Sequence, residues 1–269
     1  MDHMIYCSLM SGSWGNCHYI NAGATSILID AGQSGRRILE NIEMAGRGPA
    51  TKLSAIVVTH AHIDHVAGVG VLARRLRVPV YATEGAWFEM SALVGEIPAE
   101  QRRAITLDER WSIGDLSLEA FPTSHDALES VGFVVRRERE EVLGIATDSG
   151  VFTNQMERAL RDARTLVIES NHDPEMLRTG KYPYYLKARI AGIDGHLSNE
   201  DAGRAINKVR NPNLRQIVLA HLSQENNTWE KAMSSVKQEM ASAYPGASAP
   251  SEPALYIAPR HAPGKWLEV

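Results

Sequence analysis

Cysteine is nearly missing from this 269-residue chain. The two present, Cys7 and Cys17, are too few for a zinc ribbon and too few for the disulfide framework of a small secreted scaffold. Long apolar runs are missing as well, since nothing approaches the roughly 18 uninterrupted apolar residues that a membrane helix needs. The N-terminal Met1-Asp2-His3-Met4-Ile5-Tyr6 carries neither the basic segment nor the apolar segment of a secretory signal. A cytoplasmic protein with no membrane contact is expected. Nor is there an excess of cations: 28 Lys+Arg stand against 32 Asp+Glu, for a formal charge of −4. With a pI near 6.2, a generally polybasic surface is excluded, so any phosphate-bearing partner must be met by a local patch. Internal repeats, heptads and linker-like breaks in composition are not visible either.

What is present is a chain of ordinary globular composition, 44% hydrophobic and 22% charged, with ten histidines. Its apolar residues come in short runs ending in polar residues, separated by amphipathic stretches. Strands are predicted at Ile5–Leu9, Cys17–Asn21, Thr25–Ile29, Leu53–Val58, Val78–Ala82, Leu116–Phe121, Val131–Arg136, Val142–Ala146, Leu166–Ile168, Ile217–Ala220 and Leu255–Ala258. Helices are predicted over Arg36–Ala45, Val66–Leu76, Glu84–Leu93, Asn154–Asp162, Asn199–Val209 and Thr228–Ala243. The Pro/Ser/Ala-rich stretch Tyr244–Pro253 reads as a surface loop. The expectation is one α/β domain over residues 1–269, with helices covering sheet faces.

The sharpest local feature is Thr59-His60-Ala61-His62-Ile63-Asp64-His65, directly after the buried strand that ends at Val58. Four ligand-type side chains in six residues are poor core material, and a solvated His-rich turn is the weaker explanation. In an extended segment His60 and His62 point the same way, which suits two nitrogens on one ion. If the chain then turns into a helix, Asp64 and His65 swing aside and can serve a second. His125, Asp148, His172 and His221 also stand at or just beyond strand ends. Each alone reads as a hydrogen-bonded or exposed residue; together with the cluster, His125, Asp148 and His221 read as ligands converging on one edge of a sheet assembly.

With these motifs the sequence resembles the metallo-β-lactamase-fold hydrolases, whose signature is Thr-His-Xaa-His-Xaa-Asp-His followed by a later His, an Asp after an apolar strand and a final His. Ser11-Gly12-Ser13, Gly15-Asn16, Glu169-Ser170-Asn171-His172-Asp173, the segment from Gly195 to Ala202 and the segment from Leu219 to Asn227 are similar to those of the bacterial YycJ/WalJ group, regarded as 5′ to 3′ DNA exonucleases or nuclease-like phosphodiesterases. The resemblance implies a four-layer αββα sandwich in the α/β class, with two divalent metal ions, zinc or manganese, at one edge. It implies His60, His62 and His125 on the first ion, Asp64, His65 and His221 on the second, and Asp148 bridging. It also implies that Asp30 steadies the ligand loop, though Asp30 read on its own also suits a turn before Ala31-Gly32.

Two ions about 3.5 to 4 Å apart bring a water near neutrality and yield a hydroxide nucleophile. In-line attack on a phosphodiester is therefore the expected chemistry, with Asp64, His196 and His172 as catalytic candidates. His196 is preferred as the general acid, although Gly195-His196-Leu197-Ser198-Asn199-Glu200 also reads as a helix start capped by Ser198 or Asn199. Between Arg178 and Arg215, eight cations face three acids, a local +5. There Lys181-Tyr182-Pro183-Tyr184-Tyr185-Leu186-Lys187 and Arg189 interleave aromatics with cations, so Lys181, Tyr184, Lys187 and Arg189 are candidate contacts to a nucleic acid, DNA before RNA. The plain alternative is a basic face with tyrosines packed on the core. Arg74, Arg75 and Arg77 are assigned to a helix C-terminus instead. The rival activities are a small-molecule phosphodiesterase and a carbonyl-ester hydrolase of thioesters or lactones on the same fold. A metal-stabilised binding scaffold is the rival outside enzymes.

Overall fold

The computed structural model describes residues 3–46, 53–107, 109–138, 140–242 and 252–269, so most of the loop expected at Tyr244–Pro253 lies outside the described residues. The chain opens with a meander of β1 (Ile5–Met10), β2 (Cys17–Ala22) and β3 (Thr25–Ile29). It continues through α1 (Gly35–Ala45), β4 (Ala55–Val57), α2 (Ile63–Val66), α3 (Val69–Leu76), β5 (Val80–Ala82), α4 (Glu84–Val94) and β6 (Arg102–Ala104). Strands β3 to β6 pair in parallel.

The second half repeats this plan. An antiparallel run of β7 (Arg110–Ile113), β8 (Leu116–Pro122), β9 (Val131–Arg137) and β10 (Glu141–Ala146) leads into parallel β11 (Thr165–Glu169), β12 (Gln216–Ala220) and β13 (Ala254–Ile257). Its helices are α5 (Asn154–Leu160), α6 (Pro174–Thr179), α7 (Tyr184–Ile190), α8 (Asn199–Val209) and α9 (Trp229–Ser242). Finally β14 (Leu267–Glu268) returns to pair with β1. Two seven-stranded mixed sheets result. The halves share a topology that no sequence repeat announces.

Period-two alternation explains the layers. In β3, Leu28 faces the outer helices while Ile27 and Ile29 face the other sheet; in β11, Leu166 and Ile168 face outward while Val167 faces inward. One apolar layer therefore lies between the sheets, a second under α1, α3 and α4, and a third under α5, α8 and α9. This is the expected four-layer sandwich. The single helix expected from Val66 to Leu76 is divided: α2 ends at Val66 and α3 starts after Gly68, where an added Cβ would lie 2.2 Å from the Gln33 carbonyl oxygen. Cap chemistry follows the sequence, with the Ser34 and Ser198 hydroxyls accepting from Arg37 N and Asp201 N.

One polar pair is sealed between the sheets. His18 on β2 is 1% exposed, stacks on Tyr6 and shares a 2.9 Å hydrogen bond between its Nδ1 and the Tyr6 hydroxyl. Burial lowers the His18 imidazole to about 3. The unfolded chain takes up that proton near about 6.5, so between the two values it binds more protons than the fold does, and stability falls as pH drops through the window. Each pH unit there removes up to about 1.4 kcal/mol. In chelator-treated protein, His18→Asn should flatten the acid limb of the thermal-unfolding midpoint against pH; a slope unchanged from wild type would refute the assignment.

Candidate metal centre

Parallel strands of both sheets end on the same edge, and there the polar residues gather. Asp30 follows β3 with φ 61°, Asp148 follows β10 with φ 57°, and His221 follows β12 with φ 53°. This left-handed backbone is uncommon outside glycine. The turn lets a strand-end side chain double back over the edge. Asp30 does so to hold the histidine loop: its Oδ1 accepts from Thr59 N and its Oδ2 from Thr59 Oγ1, each at 2.8 Å, and Oδ2 also accepts from His65 Nδ1 at 2.7 Å. It is 1% exposed, so it does far more than shape a turn.

The seven expected ligands are brought together. His60, His62 and His125 form one group, Asp64, His65 and His221 another, and Asp148 joins His60 and His65 in a third; within each group the ligand-type atoms lie within 4.8 Å of one another. His62 Nδ1 and His125 Nε2 face each other at 3.2 Å. Two ring nitrogens that close need a proton or a cation between them.

The buried atoms left without partners mark the place for that cation. His60 Nε2, His221 Nε2 and Asp148 Oδ2 are buried with no hydrogen bond. Meanwhile the opposite ring nitrogens are engaged: His60 Nδ1 with Thr59 Oγ1 at 3.0 Å, His125 Nδ1 with the Gly195 carbonyl at 3.1 Å, and His221 Nδ1 with Asp148 Oδ1 and Glu169 Oε1, both at 3.0 Å. Such outer contacts fix tautomer and ring angle and leave the inner nitrogen free to ligate. The donor set of imidazoles and carboxylates fits divalent cations, as the fold family implies.

Charge is balanced across the cluster. Burial would raise the Asp148 carboxyl, but His221 and His65 hold it well below the ordinary carboxylate range. Burial would lower His65, yet Asp148, Asp30 and Asp64 push it up to about 9. For His60 burial dominates and the imidazole is held neutral, the form that binds metal.

Glu169 is the functional residue that sequence reasoning passed over. Wholly buried at the end of β11, it accepts from Ser149 N and Leu197 N through Oε2, and from His196 Nδ1 at 2.7 Å through the Oε1 that also meets His221. Burial opposes its charge, but His196 and the imidazole hydrogen bonds bring it down to about 2. Its signal was in the chain: an acid closing an apolar strand, as Asp148 does. Asn16, noted in the sequence only within the Gly15-Asn16 pair that carries the resemblance, has a role in the site. Its amide nitrogen reaches Asp64 Oδ2 at 3.3 Å and His65 Nε2 at 3.0 Å, while Ser11 Oγ in the same turn accepts from His221 N.

His196 lies with Asp148, Glu169 and His221 in a fourth such group, and the other candidates fall outside the ligand groups. His172 forms a bridge with Ser198, and its Nδ1 is buried without a partner. Lys181 precedes α7, and Tyr184 and Tyr185 begin it at 86% and 74% exposed, so these tyrosines are not packed on the core. Lys187 Nζ donates to the Arg178 carbonyl, and Arg189 Nε pairs with Asp126 Oδ2 at 2.6 Å. Asp126 in turn lies 3.6 Å from both His62 Nε2 and His125 Nε2. The +5 of the basic window is reduced by acids outside it, since Arg178 pairs with Glu175 and Arg204 with Glu239 as well as with Asp201.

Because Glu169 orients two of the cluster's imidazoles, Glu169→Gln should weaken metal binding by about 10- to 100-fold while the circular-dichroism spectrum stays native. Competition with a chromophoric chelator measures this; wild-type affinity would reduce Glu169 to a structural role.

Comparison with known proteins agrees with this geometry. A family model described as the beta-lactamase superfamily domain matches residues 25–222. Exodeoxyribonuclease YycJ of Bacillus anthracis is 40% identical over 230 residues, 86% of each chain. Exodeoxyribonuclease WalJ of Streptococcus pneumoniae is 36% identical over 240 residues, 88% of each chain. Among solved structures, the metallo-beta-lactamase fold protein YhfI from Bacillus subtilis superposes with a TM-score of 0.71 at 17% identity, covering 98% of this chain and 100% of that one. The chain therefore belongs to the β-lactamase superfamily, as a hydrolase on the metallo-β-lactamase fold.

Proposed function

We propose that the protein is a dinuclear metal-dependent phosphodiesterase, a 5′ to 3′ DNA exonuclease. The observation that carries the reading is the pair of ligand groups, His60, His62 and His125 against Asp64, His65 and His221, with Asp148 within reach of both. Two zinc or manganese ions held there would supply Lewis-acid stabilisation of phosphoryl charge and an activated water. The names of the Bacillus anthracis and Streptococcus pneumoniae relatives support DNA as the substrate.

The protein's own groups divide the remaining work. His60, His65 and Asp148 are sealed, whereas the side chains of His62, Asp64 and His196 are 34%, 20% and 17% exposed. A phosphodiester enters over these three. Asp64, the more open carboxylate, orients the attacking water. His196 donates Nδ1–H to Glu169, so its Nε2 is the atom that carries the proton to the leaving alkoxide. His172, outside the ligand groups, is the second candidate for that step. The α7 residues Tyr184, Lys187 and Arg189, with Lys181 before it, flank the mouth through the 2.9 Å bond from His196 N to the Ile190 carbonyl, and their side is where a strand's backbone is tracked. Action on DNA fits a cytoplasmic enzyme, where the two buried thiols stay reduced.

Metal-reconstituted protein incubated with end-labelled single- and double-stranded DNA and RNA tests the assignment. Stepwise release from the 5′ end of DNA is expected, lost in His60→Ala. His196→Ala should keep its metal content while kcat falls by about 10²- to 10⁴-fold. Turnover of a thioester or lactone with no cleavage of any nucleic acid would overturn the assignment.

A further inference from the structure

A groove of about 460 Å³ opens just past the ligand His221, and nothing in the mechanism so far uses it. It starts at Leu222 and Gln224, directly after the ligand His221, passes Arg260 and ends at Trp229 and Glu230 on the first turn of α9. Its volume is that of a small-molecule guest, far too small for a duplex.

Two features make it more than a surface dent. The first is a pair of exposed tryptophans, Trp229 on its lining and Trp14 hydrogen-bonded to the lining residue Gln224. Trp229 is 61% exposed and Trp14 is 64% exposed. An exposed indole offers a face on which a base can stack, and Trp14 is not loose: its indole N–H donates to Gln224 Oε1 at 3.0 Å, and its carbonyl accepts from the Gln33 amide. Asn16, two residues on, touches Asp64 and His65, so the Trp14 backbone stands within about 7 Å of a residue in contact with two ligands.

The second feature is Arg260 between them. Its Nη2 donates to the Ser223 carbonyl at 2.8 Å, which fixes the guanidinium, and no described carboxylate is within ion-pair distance of it. A positioned guanidinium with no acidic partner offers its remaining donors to an anion, phosphate above all. Among the described lining residues Glu230 is the one acid, and no ion pair joins it to Arg260.

We propose that this groove is a nucleotide subsite: it takes the nucleotide adjoining the scissile bond, with a base stacked on Trp229 and the neighbouring phosphate on Arg260. The proposal rests on the nuclease reading and adds to it a recognition element distinct from the α7 residues.

The experiment is a pair of double-mutant cycles on a short single-stranded oligonucleotide. The substrate is made with an abasic site on either side of the cleaved bond and, separately, with a neutral methylphosphonate at either adjoining phosphate. In wild type, an abasic site on the groove side should raise KM by about 5- to 100-fold, with kcat within about two-fold. Trp229→Ala should do the same to the intact substrate and show no further loss with the abasic one. Arg260→Gln should behave likewise toward the methylphosphonate. Losses that simply add, or unchanged KM in both variants, would overturn the subsite. If wild type cuts no strand at all, the nuclease reading fails separately, and quenching of tryptophan fluorescence by dAMP in chelator-treated protein decides the groove. Quenching abolished by Trp229→Ala and weakened by Arg260→Gln upholds it, and no quenching overturns it.

Discussion

The two halves of this molecule meet on one carboxylate. Asp148 is 2% exposed and lies 3.4 Å from His65 Nε2, which the first sheet supplies, and 3.0 Å from His221 Nδ1, which the second supplies. A buried anion is tolerated only when cations or metal answer it, and removing one partner from such a pair costs several kcal/mol. The sandwich is therefore held in register at this edge by electrostatics as well as by the apolar layer between the sheets. Whatever disturbs Asp148 disturbs the relation of one sheet to the other.

Around that carboxylate, imidazoles are graded by their outer partners. His65 is held by Asp30, His125 by the Gly195 carbonyl, and His221 and His196 by Glu169. Asp30 and Glu169 come from strand ends, one in each half, and Gly195 from the loop before α8, so the fold decides which nitrogen of each ring faces inward. Ligand chemistry and topology are here the same constraint.

Much of this could be read from the residues alone, and the exceptions have a common cause. Strands with two buried faces, such as β3, β11 and β12, show as apolar runs, and the ligands were found because charged groups stood where those runs stop. Strand β6 was not foreseen because Arg102, Arg103 and Ala104 are all exposed and show no apolar alternation. Helix α7 was missed because it buries no residue and so has no stripe. Glu169 stood in a recognised segment but received no role, because the sequence does not show which groups a strand-end acid meets; only the folded chain shows two imidazoles converging on it. The charge sum over Arg178 to Arg215 misled in the other direction, since Glu175, Asp126 and Glu239 come from elsewhere to neutralise it.

The left-handed strand ends at Asp30, Asp148 and His221 set stability and selection against each other. At each of these positions glycine would relax a backbone that is strained by about 1–3 kcal/mol for other residues. Yet glycine would erase a carboxylate or imidazole on which the site depends.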